Sequence, residues 1–321
     1  MMTEIRLALA GDTMLGRGVA DRLTTSTPDS LFAPELIRIA ADADLFVLNL
    51  ECCISENGVP WPSPGKPFFF RAPPIAAEAL ALLGVDCVSL ANNHALDFGQ
   101  EALLDTFEHL ARVGIAWAGA GSDVGQARAP AVLEAEDFRL AVIALCDHAP
   151  DYAAGLNRPG VAFADLEQGM PDWVPATVAS VDADAVLVTP HWGPNMARSP
   201  VPHVRRAARA LVDCGATLVA GHSAHVFQGV EGRVLSDLGD FIDDYAVDQV
   251  LRNDLGLLWF VTMDKSGPTA LEAVPLFLDF CHTRVADGEE AAWIERRLTE
   301  ACRATGTEVA AEGDRLRMTW R

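Results

Sequence analysis

An α/β fold with a mixed sheet is what this 321-residue sequence predicts, and three observations predict it. Short, almost wholly apolar runs alternate with helix-like stretches, the pattern of strand–helix units whose sheet is covered. Two pairs of apolar runs, within 131–145 and 226–238, flank tight polar turns and read as antiparallel hairpins. Half of the residues are hydrophobic and about a fifth are charged, so the chain can bury a large core. No internal repeat or linker stands out; 1–321 reads as one domain, with 270–321 as a C-terminal extension of it.

The first strand runs from Ile5 to Ala10 and ends in Gly11-Asp12-Thr13-Met14-Leu15-Gly16-Arg17-Gly18, where glycines let the backbone turn sharply. The spacing is not that of a dinucleotide fingerprint. Helices are expected at 19–23 and 34–41, the second opened by Pro34. The second strand, 45–50, ends at Glu51. The stretch 52–71 carries Pro60, Trp61, Pro62, Pro67 and three consecutive phenylalanines, too much proline for regular structure, and reads as a long functional loop. Lys66 and Arg71 bring two positive charges to it, either as substrate contacts or as solvated side chains.

A helix at 74–83 leads to a strand at 87–90 and then to Ala91-Asn92-Asn93-His94-Ala95-Leu96-Asp97, before a helix at 101–112. As turn formers and a helix cap these polar residues need no further role. At the carboxyl end of a strand, however, they stand where open α/β sheets hold their active sites. A strand at 115–118, the first hairpin, a loop over 147–170 and a helix at 175–180 precede the strand 185–189, which ends in Pro190-His191-Trp192-Gly193. A helix at 204–214 feeds the strand 217–220, which ends in Gly221-His222-Ser223-Ala224-His225. Beyond the second hairpin, Asp240, Asp243 and Asp244 crowd a loop. Strands at 257–262 and 270–278, then Cys281-His282 and a helix at 289–303, complete the chain.

The formal net charge of −21 argues against a nucleic-acid backbone or an anionic membrane as partner. The amino terminus enters a strand almost at once, without the pattern of a secretory signal, and no run is long enough to span a membrane. Seven cysteines without C-x-x-C spacing suit the reduced thiols of a cytoplasmic protein.

Five strands far apart in sequence thus end in groups that bind metals or move protons: Asp12, Glu51, Asn93 with His94, His191, and His222 with His225. Packing does not easily explain five such ends, and one sheet edge would bring them together. Asp12, Glu51, Asn93, His191, His222 and His225 form a mixed oxygen and nitrogen set that suits manganese, iron or zinc. Glu51 could bridge two ions. His94, held by Asp97 in one tautomer, could serve as acid or base. Acid/base catalysis by the same groups without a metal stays open.

Gly11-Asp12 with Arg17, Asn49-Leu50-Glu51, Ala91-Asn92-Asn93-His94 with Asp97, His191-Trp192-Gly193, and Gly221-His222 with His225 and Gln228 follow one another in the order of the CapA motifs. The chain resembles that family, named for poly-γ-glutamate capsule synthesis, from the first strand to about Asp244. CapA-like proteins are similar to calcineurin-like metallophosphatases, which implies a four-layer α/β/β/α sandwich with mixed sheets and a site at the strand ends. Met14 stands where the metallophosphatase pattern has a histidine, and Glu51 where it has an aspartate. The membrane anchor typical of capsule-synthesis members is missing, so the chain looks like a soluble, stand-alone member. Soluble CapA-like proteins of ribosomal peptide pathways, lasso peptides among them, invert a peptide Cα. The resemblance therefore implies a peptide epimerase. Asp12 or a histidine would be the base and His94, with Asp97, or His282 the partner; Arg17, Lys66 or Arg71 would anchor the substrate, with Trp192 as a further peptide contact. His282 is the least secure of these and reads first as an ordinary loop histidine. The alternatives are a metal-dependent phosphohydrolase, a poly-γ-glutamate-handling enzyme and a binding-only role. An acidic polymer would require arginines and lysines to cluster at its site in a protein of this charge.

Overall fold

The computed structural model describes residues 4–63 and 65–319; Pro64 of the proline-rich loop lies outside them. Two sheets organise the chain. In the first, Ala116–Ala118, Cys87–Ser89, Leu45–Leu50 and Ile5–Thr13 run parallel. Leu255–Asp264, Gly267–Leu278, Arg315–Thr319 and Glu308–Glu312 continue it antiparallel. The second sheet has Phe138–Cys146, Ala185–His191, Leu218–Ala220 and Val234–Leu235 parallel at its centre. Antiparallel partners close it at both edges, Ala131–Ala135 on one side and Val230–Glu231 on the other.

The side-chain alternation of a strand explains the layering. Along Phe138–Cys146, Leu140, Val142, Ala144 and Cys146 join the core shared with the first sheet. Ala141, Ile143 and Leu145 instead meet Val174 and Val178 of the helix Trp173–Ser180, and Val204 and Leu211 of the helix Pro202–Asp213. The helices Pro34–Ala40, Ile75–Leu82 and Gly99–Arg112 pack on the first sheet. Gly99–Arg112 buries Ala102, Leu103, Thr106, Phe107 and Leu110, one stripe at helical spacing. The architecture is a four-layer α/β/β/α sandwich with two mixed sheets.

The C-terminal helix Gly288–Arg303 begins with a reciprocal capping box between Asp287 and Glu290. It buries Ile294, Leu298 and Cys302 in the common core. Among the described residues no helix is long and apolar enough to cross a membrane. All seven cysteines are free thiols.

Three local expectations are corrected. The loop after Glu51 is tied at its ends, because Cys53–Ile54 pairs with Arg71–Ala72. The second hairpin is shorter than its apolar pattern, with only Val230–Glu231 against Val234–Leu235. Asp240 is not in a loop: Asp240–Ile242 is a strand beside the carboxyl end of Ile5–Thr13. That strand explains Gly11, since a Cβ there would lie 1.9 Å from the Gly239 carbonyl oxygen.

Candidate active site

The carboxyl ends of the parallel strands of both sheets meet at one buried polar cluster. A register shift between Ala10 and Asp12 sets Asp12 beside Asn49 of the neighbouring strand. Asn49 Nδ2 donates to Asp12 Oδ1 at 2.7 Å, and the Ser223 backbone N–H donates to Oδ2 at 3.1 Å. The second sheet supplies His191 at the end of its strand and His222 just past the next one, the two joined by a parallel bridge. Their Nδ1 atoms share a hydrogen bond of 2.8 Å, and His222 Nε2 pairs with Thr189 Oγ1 at 3.0 Å. Asp12 Oδ1 stands 3.9 Å from His191 Nδ1 and 3.8 Å from His222 Nδ1. His225 Nδ1 lies 2.8 Å from Asp240 Oδ1 and 3.4 Å from Asp12 Oδ2.

Asp12 therefore belongs to two ligand sets, one with His191 and His222, the other with His225 and Asp240. In each set the ligand atoms lie within 4.8 Å of one another. Glu51 completes the cluster: Oε2 accepts from Tyr245 at 3.4 Å, while Oε1, 3.8 Å from His191 Nε2, has no hydrogen-bond partner. Asp240 Oδ2 and Asn93 Oδ1 are likewise buried without partners.

Electrostatics follow from burying so many like groups. Burial first, then mutual repulsion, raises the carboxyl pKa values of Glu51, Asp237 and Asp240 well above normal. Burial also raises Asp12 and brings Asp243 to about 6. Burial depresses His191, helped by the neighbouring His222, and takes His222 down to about 3, so both imidazoles are neutral. For His225 burial opposes the charged form, but Glu51 and Asp12 outweigh it and the pKa is raised. Repelling carboxylates with unpartnered oxygens, beside neutral imidazoles, are what a pair of divalent cations would satisfy. The residues present fit such a group.

A second network adjoins the first. The Asn92 side-chain amide donates to Asn49 Oδ1 at 3.1 Å and to the Leu50 carbonyl at 2.8 Å, and its oxygen accepts the His94 N–H at 3.0 Å. His94 Nδ1 meets Asp97 Oδ2 at 2.6 Å, and the imidazole stacks on Phe70 with centroids 4.1 Å apart. Asp97, fully buried, also accepts from the Phe70 N–H at 2.6 Å and the Tyr152 hydroxyl at 3.0 Å, and pairs with Lys66. Burial lowers the His94 pKa against the opposing pull of Asp97. Burial thus favours the neutral imidazole of His94, with Nδ1 engaged by Asp97.

The other sequence candidates fall in different places. Lys66 joins the Asp97 network and donates to the Asn93 carbonyl. Arg17 sits at the rim, 3.2 Å from Asp244 and over the Phe68 ring. Arg71 turns away: it donates to the Asn57 carbonyl at 3.1 Å and stacks on Phe98. Trp192 is buried in the second core, its indole donating to the Ser236 carbonyl at 2.9 Å, and so packs rather than faces a substrate. The absence of a side chain at Gly221 makes room for that indole, since a Cβ there would lie 2.3 Å from Nε1. His282 Nδ1 is bound to the Ser30 carbonyl at 2.9 Å. No hydrogen bond, ion pair or ring contact among the described residues joins it to Asp12 or His94.

Sequence reasoning missed Asp240 as a ligand candidate, Tyr245, and His148. His148 Nδ1 lies 3.0 Å from Asp147 and Nε2 2.9 Å from Ser223 Oγ, with its ring centroid 5.4 Å from that of His191. It lines an open cleft of about 580 Å³ with Asp147, Gly193 and His203. No strand pattern marks His148, and the three-residue strand of Asp240 is too short to show one.

Residues 6–245 match the family described as bacterial capsule synthesis protein PGA_cap. The chain is 30% identical over 291 residues to the "Probable polyglutamine synthesis accessory protein" of Mycobacterium tuberculosis, covering 85% of this chain and 76% of that protein. It is 27% identical to the "PGA biosynthesis protein CapA" of Bacillus subtilis, over 84% of this chain and 70% of that one. A solved hypothetical protein from Thermus thermophilus shares the fold, with a TM-score of 0.50 at 14% identity over 84% of this chain and 98% of that one. By its motifs, and by a family match that spans most of its length, the chain belongs to the bacterial capsule synthesis protein family.

Proposed function

We propose that the chain is a divalent-cation-dependent hydrolase acting on the amide links of a glutamate-rich chain. The observation that carries this reading is Asp12 shared between two sets of buried ligands. The relatives' names, which speak of polyglutamine and PGA synthesis, supply the substrate class. That weighs against peptide epimerisation as the first reading, because the epimerase expectation rested on resemblance to soluble members alone.

Asp12, His191 and His222 would hold one cation, and Asp12, His225 and Asp240 a second, with the unpartnered Glu51 Oε1 3.8 Å from His191 Nε2. Bound there, a divalent cation supplies Lewis-acid polarisation of a carbonyl oxygen. His94 provides the proton transfer. With Nδ1–H directed to Asp97, its Nε2 accepts a proton from the attacking water and returns it to the departing nitrogen. Lys66, Tyr152 and the Phe70 N–H fix Asp97, and Asp97 fixes the tautomer of His94.

A second reading keeps peptide Cα epimerisation. It is favoured by the His94–Asp97–Lys66 network, a proton carrier that needs no cation. Incubating the protein with a glutamate polymer and manganese, iron or zinc separates the two. New amino end groups that a chelator abolishes support the hydrolase. Deuterium gain at a peptide Cα in heavy water, with no cleavage, supports the epimerase. Turnover of a generic phosphoester in place of the polymer would move the same cation chemistry to phosphoryl groups and sink the amide assignment.

A further inference from the structure

The catalytic cluster is a poor place to hold an acidic polymer. Asp12, Glu51, Asp97, Asp240 and Asp243 offer a carboxylate no positive side chain, and the basic side chains Arg17 and Lys66 are each already engaged by an aspartate. In a chain of net charge −21 the missing positive surface must lie elsewhere if a polyanion is to be bound.

Such a surface exists on the helical side of the second sheet. A cleft of about 480 Å³ is lined by Arg198, Arg205, Arg209 and Arg297, against only two carboxylates, Glu231 and Glu300. Arg205 and Arg209 stand one turn apart on the helix Pro202–Asp213, and Arg297 comes from the helix Gly288–Arg303, so three of the four guanidinium groups sit on rigid elements. Their existing partners do not use them up. Arg209 is 3.9 Å from Glu231 with its side chain 74% exposed, and Arg198 is 2.9 Å from Glu300 with both side chains more than half exposed. Exposed pairs of this kind contribute little. Arg205 donates Nε to the Pro200 carbonyl, and Arg297 donates one Nη2 bond to the Arg198 carbonyl, leaving most of each planar fork free. Burial, and then Arg198 beside it, pushes the Arg297 guanidinium below its usual pKa, a repulsion that a bound anion relieves. The volume is that of a small-molecule subsite.

We infer that this cleft is a second substrate site, where Arg198, Arg205, Arg209 and Arg297 hold carboxylates of a glutamate-rich chain outside the catalytic cluster. The choice of carboxylates over other anions rests on the hydrolase reading; the anion site itself rests on the four arginines. The cleft also borders the catalytic loop. Ser236 lines it, and the next residue, Asp237, accepts the N–H of Ala224, beside His225, at 2.7 Å and that of Gly239, beside Asp240, at 2.9 Å. A chain held in the cleft is therefore anchored beside the segment that carries the histidines.

The test is fluorescence anisotropy of a labelled glutamate oligomer with the full chain, at low salt and at about 0.15 M salt. Saturable binding that weakens with salt is expected. Arg205→Ala with Arg209→Ala, on an exposed helix face, should weaken binding about tenfold or more. Its melting temperature should be unchanged, and Asp12→Asn should bind as wild type does. Equal affinity in the double variant, no binding by the wild type, or a cleft that takes inorganic tripolyphosphate while refusing the oligomer overturns the inference. Loss of oligomer binding in the double variant, with cleavage of short glutamyl substrates retained, supports both the cleft and the hydrolase. The same loss in a protein that cleaves nothing keeps the cleft and removes the hydrolase reading.

Discussion

Asp97→Asn probes the network that positions His94. The buried carboxylate accepts from the Phe70 N–H and meets His94 Nδ1, each at 2.6 Å, through Oδ2; it accepts from Tyr152 at 3.0 Å and pairs with Lys66 through Oδ1. Asparagine keeps the shape but turns one oxygen into a donor. Whichever way the amide lies, it confronts either Phe70 and His94 or Tyr152 and Lys66, and at least one buried donor loses its acceptor. Lys66, with its side chain only 14% exposed, also loses its counter-charge. Breaking a buried ion pair costs about 3–5 kcal/mol, and an orphaned donor is already counted within that range. In a chain of this size that lowers the melting temperature by roughly 4–7 °C. Turnover should fall on the order of a hundredfold or more, because His94 loses the partner that sets its tautomer. Adding His94→Gln to Asp97→Asn should lower turnover little further, since the two act as a unit. Calorimetry and steady-state kinetics read both quantities. A melting shift under about 2 °C with unchanged turnover would refute the network's role.

The other predictions are smaller. Glu51→Gln removes a buried carboxylate with an unpartnered oxygen; it should stabilise the cation-free protein by about 1–2 kcal/mol and shrink the melting shift on adding manganese. An unchanged manganese response would exclude Glu51 from the cation site. Trp192→Phe deletes the indole bond to Ser236 and should cost about 1–2 kcal/mol of stability with KM unchanged; a tenfold rise in KM would restore Trp192 to the substrate. The carboxyl pKa values of Asp12, Glu51, Asp237 and Asp240 are raised by burial, and that of Asp243 reaches about 6. Their contribution to stability is complete below about pH 4 and is lost as pH climbs through each raised value, about 6 for Asp243. Divalent cations neutralise the same groups, so the manganese melting shift should grow from about pH 5 to about pH 7. A shift that shrinks over that range contradicts the assignment.

Strand–helix alternation made the central parallel strands legible because apolar runs such as Leu45–Leu50 are buried on both faces. The hydrogen bonds of a strand then bring each run's last residue to a common edge, which is why Asp12, Glu51, His191 and His222 could be grouped in advance. Residues whose role depends on side-chain direction were not legible. Arg71 is one residue beyond a phenylalanine that stacks on His94, yet its own guanidinium lies over Phe98. Trp192 follows a site histidine and for that reason points to the opposite face of the chain, into the second core. His148 belongs to a loop without periodicity, and only the three-dimensional path brings it to Ser223. Asp240 was hidden by the brevity of its strand, three residues whose pairing with Ile5–Thr13 is wholly non-local.

The central claim is that Asp12 organises two cation positions, and metal stoichiometry tests it most directly. After equilibrium dialysis against manganese, iron or zinc, elemental analysis of the wild type should find about two cations per chain. Asp12→Asn should lose both together, and His222→Gln should lose one. A wild type that retains no cation, or an Asp12→Asn protein with unchanged stoichiometry, would contradict the account.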